Sequence, residues 1–190
     1  MGRKPRVEYS GALYHVIQRG NNREYIFDKN EDKIFLLKEI KERKTGTGFK
    51  LYGYVIISNH YHLVLQVQDE PLSKLMHQIN SSYGRYYNRE HNLTGHVYDG
   101  RYKAIPIQNE RYLLAVLMYV HRNPVRAGIC SQIDQYRWSS DMYDRNNQDN
   151  FVDIDLLLGM LSNDREKAIS QYISFMEQED IIRAIGCHRR

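Results

Sequence analysis

Two runs rich in β-branched and aromatic residues, 50–57 and 60–67, are separated only by Ser58-Asn59. A two-residue gap leaves no room for a crossover, so the runs must pair antiparallel as a hairpin. That hairpin constrains the rest of the chain, because every other element has to cover one of its faces or extend its edge. The second run opens Asn59-His60-Tyr61-His62-Leu63. Side chains two apart on a strand share a face, so His60 and His62 point one way while Tyr61, Leu63 and Leu65 point the other.

Before the hairpin, residues 12–18 alternate as a strand, with Leu13, His15 and Ile17 on one side and Tyr14 and Val16 on the other. The segment Arg19-Gly20-Asn21-Asn22-Arg23 then breaks the pattern as a turn whose amides and guanidinium groups can meet phosphate. Residues 31–45 predict a helix with Asn30 as N-cap and an apolar side of Ile34, Leu37 and Ile40. After the hairpin, Pro71 opens a helix carrying Leu72, Leu75, Met76, Ile79, Tyr83, Tyr86 and Tyr87 at helical spacing. Residues 101–108 read as a strand and 110–122 as a helix stopped before Asn123-Pro124. Strand, helix, hairpin, helix, strand, helix is an α+β order. It implies an antiparallel sheet with helices packed on it, ferredoxin-like or RNA-recognition-motif-like. Residues 1–145 are expected to hold this domain. Residues 146–190 are expected to form a helical C-terminal extension, with short helices at 154–161 and 165–176 after a polar stretch through Asn150.

Composition narrows the partner. The chain has 190 residues, enough for one real core. Its 27 Lys plus Arg against 23 Asp plus Glu tolerate a polyanion without demanding one. Sixteen tyrosines against 5 Phe and 1 Trp supply faces for stacking on bases, although half-buried packing explains them equally well. Cys130 and Cys187 are unpaired in spacing, and MGRKPRVEYSG has no apolar run behind it. Neither a secretion signal nor a membrane span is expected, and a reduced, cytoplasmic protein is.

The candidate chemistry starts from the imidazole pair. Neutral imidazole is a common metal ligand, so His60 and His62 make a two-nitrogen site for a divalent ion that needs a further ligand. The i, i+4 spacing of Tyr119 and Asn123 puts a phenol and an amide on one helical face, with His121 turned elsewhere. A deprotonated phenol attacking a phosphodiester gives a phosphotyrosine that conserves the bond for rejoining, which is transesterification. A single ion suffices to polarise the phosphate and stabilise the leaving oxygen. The blander alternative makes Tyr119 a core aromatic and Asn123 the helix stop before Pro124.

Five strings stand in one order: Tyr14-His15-Val16-Ile17-Gln18-Arg19-Gly20-Asn21-Asn22-Arg23, Asn59-His60-Tyr61-His62-Leu63, Gly100-Arg101-Tyr102-Lys103, Tyr119 with Asn123-Pro124-Val125-Arg126-Ala127-Gly128, and Tyr136-Arg137-Trp138-Ser139-Ser140. This series resembles the single-tyrosine HUH transposases, and within them the REP-associated tyrosine transposases, over residues 8–142. The resemblance implies an HUH endonuclease core and metal-dependent cleavage and joining of single-stranded DNA through a 5′-phosphotyrosine. It further implies Tyr119 as nucleophile and His60, His62 and Asn123 as ligands of Mg²⁺ or Mn²⁺. Insertion-sequence relatives commonly carry Gln where this chain has Asn123, and the Asn fits the REP-associated branch. The implied setting is the nucleoid of a bacterial or archaeal cell. The implied partner is single-stranded DNA with a hairpin, and a homodimer is admitted because some relatives exchange the tyrosine helix between subunits.

Phosphate contacts are expected from Arg3, Lys4 and Arg6 of the N-terminal arm, Arg19 and Arg23 of the turn, and Arg101 and Lys103 of the last strand. The Tyr83, Tyr86 and Tyr87 stripe is read first as packing. Two other readings compete. A non-catalytic or domesticated nucleic-acid-binding module on the same fold would not need Tyr119 and the histidines, and all three are present. A hydrolase of small phosphate esters would want carboxylates near His60, and Asp69 and Glu70 fall past the strand end.

Overall fold

The computed structural model describes residues 9–149 and 151–178. Its centre is a four-stranded sheet of β1 (Leu13–Arg19), β2 (Lys50–Ile56), β3 (His60–Gln66) and β4 (Lys103–Pro106) in the order β2-β3-β1-β4, every neighbour antiparallel. This is the expected ferredoxin-like arrangement. The hairpin closes where the Ile57 amide donates to the His60 carbonyl at 3.0 Å. Tyr52 is bulged between Leu51 and Gly53, which lets a seven-residue strand keep its register against β3. The fourth strand is shorter than the expected 101–108. Its register with β1 runs from Lys103 to Pro106, and the Ile107 amide adds one last bond to the Leu13 carbonyl at 2.8 Å.

Helices α1 (Asn30–Thr47) and α2 (Leu72–Glu90) cover the face that carries Tyr61, Leu63 and Leu65. Tyr61 donates to Asn80 on α2 at 2.6 Å, and Tyr83 donates to the Ile26 carbonyl. The tyrosine stripe of α2 is therefore packing: Tyr83 is fully buried, and Tyr86 stacks on Phe35 of α1. Two expectations for α1 are corrected. Asn30 is the first helical residue, and extended Lys29 holds the cap position without a side-chain bond. Ile34 is 54% exposed, and the buried side instead combines Leu36 and Ile40 with Asp32, Lys33 and Glu39. The polar members are buried because they are paired: Asp32 with His91, Lys33 with the Asp28 carbonyl and the Trp138 ring. Apolar spacing alone cannot find such a face.

The opposite sheet face receives α3 (Glu110–His121), capped by the Asn109 side chain, followed directly by α4 (Asn123–Arg126). Beyond them lie α5 (Asp141–Arg145), α6 (Ile154–Leu161) and α7 (Arg165–Glu177). The edge of β2 is covered by this C-terminal part. Ile56 donates to the Trp138 carbonyl, Tyr54 to Ser140 Oγ, and Leu51 to the Asp153 carboxylate, which also pairs with Lys44 at 2.8 Å. Phe151, Val152, Ile154, Leu157, Leu158, Ala168, Tyr172 and Met176 join the same hydrophobic core as the sheet. An edge strand left open would recruit other chains, and this covering removes it. Among the described residues, no helix is long and apolar enough to cross a membrane.

Gly53 sets how closely α3 approaches the sheet. A Cβ there would lie 2.4 Å from Leu117 Cδ2 and 3.4 Å from both His121 Nε2 and Ser140 Oγ. Gly53→Ala is expected to lower unfolding free energy in urea by about 1–3 kcal/mol, because the crowded helix must move. An unchanged midpoint would show that α3 is not seated on that glycine.

Candidate active site

Register decides which side chains meet. Arg19 pairs with His60, Ile17 with His62 and His15 with Val64, so His15, His60 and His62 project from the same face of adjacent strands. That face lies beneath α3, on the side opposite Tyr61, as the strand alternation requires. The rings of His60 and His62 are 4.9 Å apart between centroids, and Tyr119 on α3 sits with its ring 5.8 Å from His62 and 5.9 Å from His15. The backbone turns at Arg122 and restarts as α4, placing the Asn123 amide nitrogen 3.2 Å from His62 Nε2. His121, two residues from Tyr119, turns away and is buried against Ser140 and Tyr172.

Hydrogen bonds fix both imidazoles from behind. His60 Nδ1 lies 2.7 Å from Asn59 Oδ1, and His62 Nδ1 lies 2.8 Å from His15 Nε2. Burial, reinforced by Arg19 and opposed by a bond from Asn123, takes the His60 pKa down to about 4. Burial alone does the same for His15. His62 is pushed further below the ordinary value by burial, the two neighbouring imidazoles, Arg19 and Arg126. All three rings are therefore neutral at pH 7, with lone pairs available. The Arg126 guanidinium lies over the Tyr119 ring at 5.0 Å.

The basic residues expected at a nucleic-acid surface divide between three places. Arg19 and Lys103 are exposed on the histidine face, since Lys103 pairs with Ile17 and Ile17 with His62. Arg101 lines an open groove with Arg85, Asn88, His96 and Asn21 on the α2 side. Arg23 is exposed in a 3₁₀ turn. The amides of that turn do not form the expected phosphate cradle: Gly20 donates to Asn59, Asn21 to Val97, Arg23 to Gly20 and Glu24 to Asn21. Arg3, Lys4 and Arg6 lie outside the described residues.

A family model described as "Transposase IS200 like" matches residues 8–123. The chain is an IS200-like transposase. The fold is that of a solved REP-associated tyrosine transposase bound to a REP hairpin, with a TM-score of 0.65 at 18% identity over 82% of this chain and 90% of that one. A crystal structure described as a candidate transposase from Deinococcus radiodurans R1 aligns with a TM-score of 0.44 at 14% identity, over 64% of this chain and 95% of that one. No curated protein matches the sequence.

Two residues of this transposase site were not singled out by sequence reasoning. His15 stands on the same side of β1 as Ile17, and that period-two phase is the signal the sequence carries for it. Arg126 sits seven residues after Tyr119, two helical turns along, but the turn at Arg122 hides that relation from the sequence.

Neutral buried histidines give a definite pH response. His15, His60 and His121 each have a folded pKa near 4, below the unfolded 6.5, so the unfolded chain binds more protons between those values. Stability must fall as pH drops through that window. Asp144, raised by burial, acts in the opposite sense as a single group. Denaturant unfolding between pH 7 and pH 5 should show a loss of about 2 kcal/mol per imidazole, about 5 kcal/mol for the three less what Asp144 returns, and a flat profile would contradict the neutral assignment.

Proposed function

We propose that this transposase cleaves and rejoins single-stranded DNA next to a hairpin, through a covalent 5′-phosphotyrosine at Tyr119, with a divalent metal ion bound by His60, His62 and Asn123. The observation that carries the reading is the convergence of one phenol, two back-bonded neutral imidazoles and one amide on a single face.

The donor set of two imidazole nitrogens and one amide oxygen can hold a divalent ion, and the family resemblance makes Mn²⁺ or Mg²⁺ the proposed one. Both imidazoles are held through Nδ1, which leaves Nε2 of each for ligation. Among the described residues, no three His, Cys, Asp or Glu side chains are grouped to hold a metal, so a third protein donor must be of another kind. The Asn123 amide, beside His62 Nε2 and bonded to His60, would supply it through its oxygen. When bound, the ion would polarise the scissile phosphate and stabilise charge on the departing oxygen.

The chain's own groups do the rest. Tyr119 Oη attacks phosphorus, the bond from phosphorus to the 3′ oxygen breaks, and the phenolic proton is balanced by the one gained by the released 3′-hydroxyl. The Arg126 guanidinium, over the Tyr119 ring, puts a positive charge beside the position where the phosphate would be attacked. Arg19 and Lys103 flank the histidines and hold the strand's phosphates, while Arg101 and Arg85 line the groove on the far side of the sheet edge. Because the phosphotyrosine conserves the ester, a 3′-hydroxyl can attack it and reverse or redirect the joining.

The test is incubation of end-labelled single-stranded hairpin DNA with Mn²⁺ and denaturing electrophoresis. The wild type should give an adduct that survives detergent, Tyr119→Phe none, and His62→Ala a rate lower by on the order of 1000-fold, the loss of several kcal/mol of charge stabilisation. An adduct formed equally by Tyr119→Phe would overturn the assignment.

A further inference from the structure

We infer that His15 is a positioning residue, the neutral acceptor that fixes the ring and tautomer of His62 so that Nε2 faces the metal position. The inference rests on the metal-site reading above, but it concerns a residue with no assigned role. His15 lies on β1 diagonally across from His62, because His15 pairs with Val64 and Ile17 with His62. It is 2% exposed, its Nε2 is 2.8 Å from His62 Nδ1, and the two rings stack at 5.1 Å with 20° between their planes.

One proton occupies the line between those nitrogens, and its owner decides what His62 can do. If His15 Nε2 carries it, neutral His62 must bear its own proton on Nε2, and no lone pair faces Asn123. If His62 Nδ1 carries it, Nε2 is free and His15 accepts. Ligation through Nε2 selects the second arrangement. In that arrangement the proton of His15 sits on Nδ1, which is buried without a hydrogen-bond partner among the described residues. A histidine kept only for packing would not leave a ring nitrogen unpaired, since an apolar side chain of similar size fills the space without that cost.

His60 supports the same logic independently. Its Nδ1 meets Asn59 Oδ1, an acceptor that is also neutral. Both candidate ligands are thus anchored by an uncharged acceptor behind Nδ1. The usual orienting carboxylate would add a buried charge at the place where His15 is packed between β3 and Tyr119. A neutral imidazole gives the orientation without it.

The test is Mn²⁺ titration of metal-free protein without DNA, followed by calorimetry, on wild type, His15→Leu, His15→Gln and His62→Ala. Leu fills the space but accepts nothing, whereas Gln carries its terminal oxygen to the place of the imidazole Nε2. His15→Leu should weaken Mn²⁺ binding by roughly 10- to 100-fold, and His15→Gln should recover most of it. Leu binding as tightly as wild type, or Gln as weak as Leu, would overturn the inference while leaving the metal site intact. No Mn²⁺ binding by wild type, or full binding by His62→Ala, would instead sink the metal-site reading and this inference with it. A second measurement needs no variant: two-bond ¹H–¹⁵N spectra of the metal-free wild type should show His62 already protonated on Nδ1. Protonation on Nε2 would refute the role even if His15→Leu failed to fold.

Discussion

The site depends on the pairing register of β1 with β3. Odd-numbered residues of β1 face the same side as the even-numbered residues of β3, so a slip of one residue would send His15 into the core beside Leu63. The register is pinned on the other face. Gln18 pairs with Tyr61, Tyr61 donates to Asn80 Oδ1, and the Asn80 amide donates to Gln18 Oε1 at 3.3 Å. This clamp joins β1, β3 and α2 beside Val16, Leu63 and Leu65, where any shift would strand the buried Gln18 and Tyr61 side chains and half-buried Asn80. The two faces of β3 thus divide the labour: one fixes where the strand lies, and the other presents the imidazoles.

The partner half of the site is positioned from further along the chain. Tyr119 and Asn123 belong to the family-matched residues 8–123, but much of what holds their helices does not. Ser140 Oγ accepts from the Tyr54 amide and lies 2.9 Å from His121 Nε2, tying β2 to α3. The Tyr172 hydroxyl reaches both His121 Nδ1 and the Asp141 carboxylate, which also pairs with Arg145. Arg122, where the backbone turns between α3 and α4, donates to the carbonyls of Met176 and Gln178. Buried polar contacts of this kind fix geometry more sharply than apolar packing does, because each has few acceptable arrangements. Helices α5 to α7 therefore act on the site without touching it.

Most of this was legible where period and chemistry agree. The two-residue gap at Ser58-Asn59 announced the hairpin, strand alternation placed His60 and His62 together, and helical spacing found the packed side of α2. Legibility failed where burial is achieved by pairing. Lys33, Asp32 and Glu39 replace Ile34 on the core side of α1, and hydropathy reads such a side as solvent-facing. It failed again where partners are distant: nothing near Arg19-Gly20-Asn21 indicates that its amides are taken by Asn59 and Val97. The meeting of the β3 imidazoles with Tyr119 came from family resemblance, because spacing within an element does not say which elements touch.

Charge gives the site its character. The charged groups that act on His62 are Arg19 and Arg126, with no carboxylate among them, and those that act on His60 reduce to Arg19. Burial first, and these cations after it, keep the imidazoles unprotonated, without a neighbouring anion that would repel a phosphodiester. A carboxylate beside them would reverse both effects, raising the imidazole pKa values and opposing the approach of the backbone. On the proposed reading, neutral imidazoles under a positive rim keep two requirements compatible: lone pairs free for a cation and an open approach for a polyanion. The cost is borne in the protein, as desolvated rings and a His15 Nδ1 with no hydrogen-bond partner among the described residues, and the surrounding sheet and helices have to be rigid enough to keep them there.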